Sequence, residues 1–187
     1  AMRALFTWAT IPVVRSTAAG PLPAHLTLAI DASRALDRNV AVALQDDARR
    51  AGFTLEIIPY APQFLLAPAV QHGPIESGRF QLAMHAVLTG ADPETSWLLA
   101  CDQIPPKGFN VSRWCDRAVD RALAEALTTV DQTTRRRDYA IVQRAVARDV
   151  PFVALWQNRE IEVLPAGMSG FSGSPETAYF GVERWQR

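Results

Sequence analysis

Apolar and polar residues alternate over HLTLAID, with Leu26, Leu28 and Ile30 on one side, the period of a half-buried strand. Behind it the period lengthens. Val40, Leu44, Ala48 and Ala51 recur at helical spacing, and Gly52 follows where a helix would end. FTLEII returns to alternation through Phe53, Leu55 and Ile57. Strand, helix and strand in this order predict a βαβ crossover in a mainly parallel sheet. Pro62 predicts a shorter helix through Val70, and Gly73, Pro74 and Gly78 predict loops. RFQLAMHAV then predicts a third strand through Phe80, Leu82 and Met84.

From Leu88 to Ser96 the residues are those of turns. Two helical patterns follow the segment CDQIPPKGFNVSRWC. In the first, Val119, Leu123, Ala126 and Leu127 share a face, with Asp116 placed to cap it; in the second, Asp131 precedes Tyr139, Val142 and Val146. Pro151 stops the second helix. FVALW predicts a strand covered on both faces and REIEVLP another strand, while GMSGFSGSP is a Gly/Ser-rich connection to an aromatic tail through Trp185. No internal repeat or low-complexity segment is visible.

The chain has 187 residues, enough for one domain with a real core or for one lobe of something larger. Its 49% apolar and 20% charged residues are those of a soluble globular protein. Nineteen basic residues balance nineteen acidic ones, so no field of one sign would gather nucleic acid or anionic lipid, and neither is expected as a partner. No apolar run reaches the length of a membrane span, and no membrane insertion is expected. MRALFTWATIPVV has the basic start and apolar stretch of a short leader, but Pro12 and Arg15 interrupt it; residues 1–25 are read as an N-terminal arm.

Signatures of catalysis are missing: the sequence has no G-x-S-x-G, no H-E-x-x-H, no Walker loop and no glycine-rich fingerprint after either early strand. His25, His72 and His85 lack a ligand spacing, and neither metal nor cofactor is expected. Asp92 and Glu94 could form an acid–base pair, although Asp-Pro commonly opens a turn. Arg135 to Arg137 fan around a helix axis and read as a solvated face carrying ion pairs. Trp97, Trp114, Trp156 and Trp185 could stack on a ligand, with core or boundary packing as the default for each. The only two cysteines, Cys101 and Cys115, lack the C-x₂-C spacing of zinc or redox sites. Flanking an irregular loop, they suit a structural disulfide; two free buried thiols are the other reading.

Taken in order, ADPETSWLLACDQIPPKGFNVSRWCDRAVDRALAEA resembles a C-terminal stretch of the family 5 extracellular solute-binding proteins of peptide and nickel ABC importers. The resemblance runs through Asp92-Pro93, the apolar Trp97 to Leu99, Gly108 with Asn110, Trp114-Cys115 and Asp120. It continues through Asp131, Arg135, Tyr139 and Gln143, spaced as in the family's D-x₃-R-x₃-Y-x₃-Q helix, then Asp149 and Pro151, GMSGFSGSP and Trp185. In order and spacing these make a fairly specific match from about Leu26 onward.

The resemblance implies an α/β fold, with a mixed, mainly parallel sheet flanked by helices, forming one lobe of a periplasmic-binding-protein type II-like structure. Residues 26–175 would be that lobe and residues 176–187 a tail reaching toward a second one. It implies a Cys101–Cys115 disulfide and a periplasmic or extracellular location. Solute capture without catalysis and docking on an ABC permease are the implied function. One wall of the cleft would hold His85, Thr89, Gly90 and Asp92. The family's Asp that holds a peptide's free amine aligns with Thr89, so dipeptide specificity is not carried over. Two other readings stand beside this one: a ligand-sensing domain of a cytoplasmic transcription regulator, and a small hydrolase using Asp92, Glu94 and a histidine.

Overall fold

The computed structural model describes residues 24–87, 92–156, 163–172 and 179–186. Strands β1 (His25–Asp31), β2 (Thr54–Tyr60) and β3 (Leu82–Ala83) form a parallel sheet in the order β2-β1-β3. Helix α1 (Ala35–Arg50) carries the chain from β1 to β2, whose register pairs His25 with Thr54 and Asp31 with Tyr60. Charge assists this helix at both ends. Asp37 lies in its first turn and Arg49 and Arg50 in its last, each matched to the nearer end of the helix dipole. Gly52 follows at φ 86°, a left-handed conformation that a side chain would strain.

Alternation along β1 sorts its side chains onto two faces. Leu28 and Ile30 pack with Ala41 of α1, Leu55 of β2 and Met84, while Ala29 turns the other way to meet Leu65 and Ile75. The second face is covered by two short helices, α2 (Pro62–Leu65) and α3 (Pro74–Ser77), together with Val111 from the cysteine loop. A third core lies outside the sheet. Leu99 from α4 (Ser96–Leu99), Val119, Ala122 and Leu123 from α5 (Arg117–Leu127), and Val142 and Ala145 from α6 (Gln132–Asp149) close against each other.

Both long C-terminal helices start as their sequences predict. Asp116 accepts hydrogen bonds from the Ala118 and Val119 amides at 2.7 and 3.4 Å, and Asp131 accepts one from Thr134 at 2.7 Å. Each such cap contributes about 1 kcal/mol by satisfying amides that the helix cannot. Arg148 of α6 reaches Asp116 at 2.9 Å and Asp149 at 2.7 Å, and the Trp114 indole donates to Asp149 at 3.0 Å. This network ties the start of α5 to the end of α6 beside Cys115. The hydrogen bond from Ala118 is the main cause, and Arg148 a further one, of an Asp116 carboxyl below its ordinary range.

The cysteines are bridged, with sulfurs 2.05 Å and Cα atoms 4.8 Å apart. Inside the loop, the fully buried Asn110 acts as the missing ladder. Its Nδ2 donates to the carbonyls of Leu99, Ala100 and Trp114 at 3.2, 3.0 and 2.8 Å, and its Oδ1 accepts from Ser112 at 2.9 Å. Its backbone N–H donates to Gln103 at 2.8 Å. Asp120 accepts the Cys101 N–H at 2.9 Å, and the Pro105–Pro106 bond is cis. Gly108 is required by close approach: a Cβ there would lie 2.8 Å from the Gln103 Cα.

Several predicted elements differ. The third strand pairs over two residues only: Phe80 and Gln81 enter from a loop, and β1 is its one partner among the described residues. The helix predicted from Pro62 to Val70 stops at Leu65, and a separate 3₁₀ turn spans Ala69–Gln71. Where Gly73, Pro74 and Gly78 predict only loops, α3 forms between them, started by Pro74 and ended at Gly78 with φ 70°. FVALW is not a doubly covered strand. It has no ladder partner among the described residues, and Phe152 and Val153 stay 43% and 64% exposed while Leu155 packs beside the α1 core. An apolar run marks a segment that needs covering, and does not itself supply the neighbouring strand. REIEVLP lies outside the described residues through Glu162, and residues 163–165 join no ladder. The return segment meets the tail through one antiparallel bridge, Ser169 with Gln186. The arm at residues 1–23 also lies outside the described residues.

Removing the bridge as Cys101→Ala/Cys115→Ala is expected to cost about 3 kcal/mol, the loop-closure entropy of roughly 15 residues. Asn110→Ala leaves buried carbonyls without donors and is expected to cost about 2–3 kcal/mol with the bridge intact. Urea unfolding of the two variants measures both. An unchanged midpoint for Asn110→Ala would show that the loop does not depend on that amide.

Candidate functional site

The sheet order sets where a ligand can lie. The chain leaves β1 on one side to make β2, then crosses to the other side to make β3. Parallel sheets open a crevice at such a reversal, outside the carboxyl ends of the two strands. Here that end of β1 leads into Asp31 and Ser33, and that end of β3 leads within two residues to His85. Ser33 donates from both its backbone and its hydroxyl to Asp31 Oδ1, at 2.8 and 2.7 Å, and fixes the turn into α1.

His85 is half-buried beside an aromatic group from the cysteine loop. The Phe109 ring meets it edge to face at 5.5 Å between centroids, and the Trp97 ring lies 6.0 Å from Phe109. Burial pushes the His85 imidazole below its ordinary pKa, partly opposed by a hydrogen bond involving Ala86 and by the charge of Asp37. Asp37 is 1% exposed; its Oδ1 accepts from Arg34 at 3.2 Å, and its Oδ2 has no protein partner.

Thr89 and Gly90 lie outside the described residues, between His85 and Asp92. Asp92 is the first described residue after them. Arg135 Nη2 donates to both of its oxygens at 2.8 and 2.7 Å, while Arg135 Nη1 donates to the Ala126 carbonyl at 2.6 Å. The same guanidinium lies 5.4 Å from the Tyr139 ring centre. Thus the D-x₃-R-x₃-Y spacing read in the sequence places Arg135 and Tyr139 on one helix face that holds the loop. Glu94 is engaged locally, accepting from the Ser96 amide.

The remaining sequence candidates separate. His25 pairs with Glu56 at 3.2 Å at the start of β1, and His72 sits exposed in a left-handed turn at φ 65°. Cys101, Cys115 and Asp120 are the one described group with metal-ligand chemistry in close range. Both sulfurs there are consumed by the disulfide, and Asp120 holds the Cys101 amide and, at 3.1 Å, Arg117. Those residues do not fit a metal in the bridged protein. Phe109 was not singled out by the sequence reading, since one aromatic in an irregular loop carries no periodic signal.

No family model matches the chain. Over 96 residues, 49% of the chain, it is 32% identical to a dipeptide-binding protein of Pseudomonas aeruginosa, of which it covers 17%. The fold superposes on the oligopeptide-binding protein AppA of Bacillus subtilis, solved with a nonapeptide. That match has a TM-score of 0.65 and 15% identity over 86% of this chain and 31% of that one. NikZ of Campylobacter jejuni, solved with Ni(L-His), gives a TM-score of 0.64 and 16% identity over 87% of this chain and 33% of that one. The chain is thus similar to part of these binding proteins. Its fold is periplasmic-binding-protein type II-like, and the chain spans about a sixth of the length of that curated relative and about a third of those solved structures.

His85 is expected to stay neutral at pH 7 and to titrate below the ordinary imidazole value of roughly 6.5. The sign follows from burial: the folded state resists the proton more than the unfolded chain does. His85 therefore contributes stability above the unfolded pKa, lost as pH falls through the folded one. An NMR titration of the His85 ring protons checks it; a midpoint above roughly 6.5 would contradict it.

Proposed function

We propose that the chain forms one wall of a solute-binding cleft, as the C-terminal lobe of an ABC-importer substrate-binding protein. The observation that carries this reading is the position of His85, Phe109 and Trp97 at the strand-order reversal of the sheet. Thr89 and Gly90 complete the wall in the loop that follows. Asp92 holds that loop against α6 through Arg135, and contributes to binding by fixing it. The solute is a peptide or a similar small molecule, in keeping with the relatives' ligands.

Apolar surface left open on the chain supports a missing second wall. Phe152 and Val153 are exposed after α6, and Phe180 and Val182 are 50% and 51% exposed in the tail. These segments are the ones that would run toward the other lobe. The disulfide favours an oxidising compartment, and so a periplasmic or extracellular location over the interior of a cytoplasmic regulator. Reversible closure of two lobes around the solute, followed by docking on a permease, is the mechanism this implies.

A wall that meets only part of its ligand leaves the rest in water, so the chain alone is expected to bind di- and tripeptides weakly, with Kd above about 1 mM. Isothermal calorimetry measures this. A complex tighter than about 1 μM formed by this chain alone would reveal a self-contained pocket and overturn the half-cleft reading.

A further inference from the structure

The residues just before the two cysteines are held by one amide. Asn110 Nδ2 donates at 3.0 Å to the carbonyl of Ala100, which precedes Cys101, and at 2.8 Å to that of Trp114, which precedes Cys115. Asp120 accepts the Cys101 amide at 2.9 Å, and Asp116 fixes the chain after Cys115 by capping α5. None of these bonds passes through sulfur, yet they hold the backbone that sets the cysteine Cα atoms 4.8 Å apart. The Asp120 carboxylate stands at the same place: the two sulfurs and an oxygen of Asp120 lie within 4.8 Å of one another. We propose that reduction of the bridge turns Cys101, Cys115 and Asp120 into a site for one thiophilic divalent cation, best suited to Zn²⁺, which then staples the loop in the bridge's stead. This site is independent of the solute-binding function above.

A dithiol reductant supplies the two electrons and two protons: its own thiols become a disulfide while the Cys101–Cys115 bond breaks to two thiols. The cation then displaces both thiol protons to solvent. Two thiolates and one carboxylate hold it, with water as the fourth ligand. Sulfur ligands select zinc over calcium and magnesium, which take oxygen alone. Tetrahedral zinc keeps such ligand atoms about 3.5–3.8 Å apart, so the widest pair here closes by roughly 1 Å. Asp120 can make that movement. Its Oδ1 stays on the Cys101 amide, and its Oδ2 is tied only to Arg117, at 3.1 Å. The Arg117 side chain is 77% exposed, and a pair with such a partner contributes little. Arg148, the other cation near Cys115, is already matched by Asp116 and Asp149. Cys115 is exposed, which leaves the cation a way in from solvent.

The whole chain is reduced with a phosphine, freed of it without air and titrated with Co²⁺, whose bonds to thiolate give a charge-transfer band; Zn²⁺ then competes. Expected are one Co²⁺ per chain, the thiolate band, and its loss when Zn²⁺ is added. Zn²⁺ is also expected to raise the urea midpoint of the reduced protein back toward that of the bridged one. The bridged chain is expected to show no band. Asp120→Asn keeps an oxygen for the Cys101 amide; it is expected to weaken Zn²⁺ binding by the reduced chain at least about tenfold and to leave the midpoint of the bridged chain unchanged. A reduced chain that keeps its circular dichroism but gives no band would overturn the site. So would a reduced chain that unfolds and does not recover with Zn²⁺. One metal per two chains would mean thiolates from separate molecules, and equal affinity in Asp120→Asn would remove the carboxylate; either overturns the three-ligand site.

Discussion

One buried amide organises the half of the molecule that carries the site. The stretch from Cys101 to Cys115 contains a cis proline pair and forms no ladder of its own, so its carbonyls need donors from elsewhere. Asn110 supplies them, facing three carbonyls from one nitrogen at the point where α4, the loop and the approach to α5 converge. The disulfide then limits how far the unfolded ends can separate. Together these two constraints let an irregular segment pack as firmly as a regular one. The Val111 side chain can serve the sheet's second core, and the Phe109 ring can stand against His85.

The same economy appears in the charges. Arg135 spends one end of its guanidinium on a helix carbonyl and the other on both oxygens of Asp92, with Tyr139 beneath it. Asp92 is largely exposed, and an exposed pair contributes at most about 1 kcal/mol. Its value is positional: it sets where the loop after β3 ends. Arg148 plays a similar role, joining Asp116 and Asp149 across the ends of two helices. In both cases the cation comes from α6, so one helix, from two different faces, holds Asp92 and the cap of its neighbour.

How much of this was legible depended on whether the signal was local. The strand–helix–strand unit from His25 to Tyr60 could be read because alternation, helical spacing and Gly52 agree. The caps Asp116 and Asp131 could be read because the side chain that closes the helix lies within three residues of the amides it serves. FVALW misled because a strand is a pairing, and its partner is not encoded in its own five residues. The short β3 misled in the same way. Of the site, His85 and Asp92 were reachable only through resemblance, and the bidentate grip of Arg135 spans 43 positions, beyond any periodic reading. The place of Phe109 was invisible, since the cysteine loop and the segment after β3 must fold before its ring meets His85.

The arrangement around His85 also bears on gripping against turnover. General base catalysis needs a proton acceptor with an open lone pair aimed at a reacting atom, and a second group to orient or activate it. Of the acidic groups in these segments, Asp92 has both oxygens held by Arg135 and Glu94 has one held by a backbone amide, while Asp37 has one held by Arg34 and the other without a partner among the described residues. Burial lowers the pKa of His85, whose ring meets a phenyl ring edge to face. A half-buried imidazole in an aromatic corner, with one hydrogen bond already involving Ala86, presents chiefly its ring face. Contact with such a face forms and releases without a bond being made, as the proposed solute capture requires.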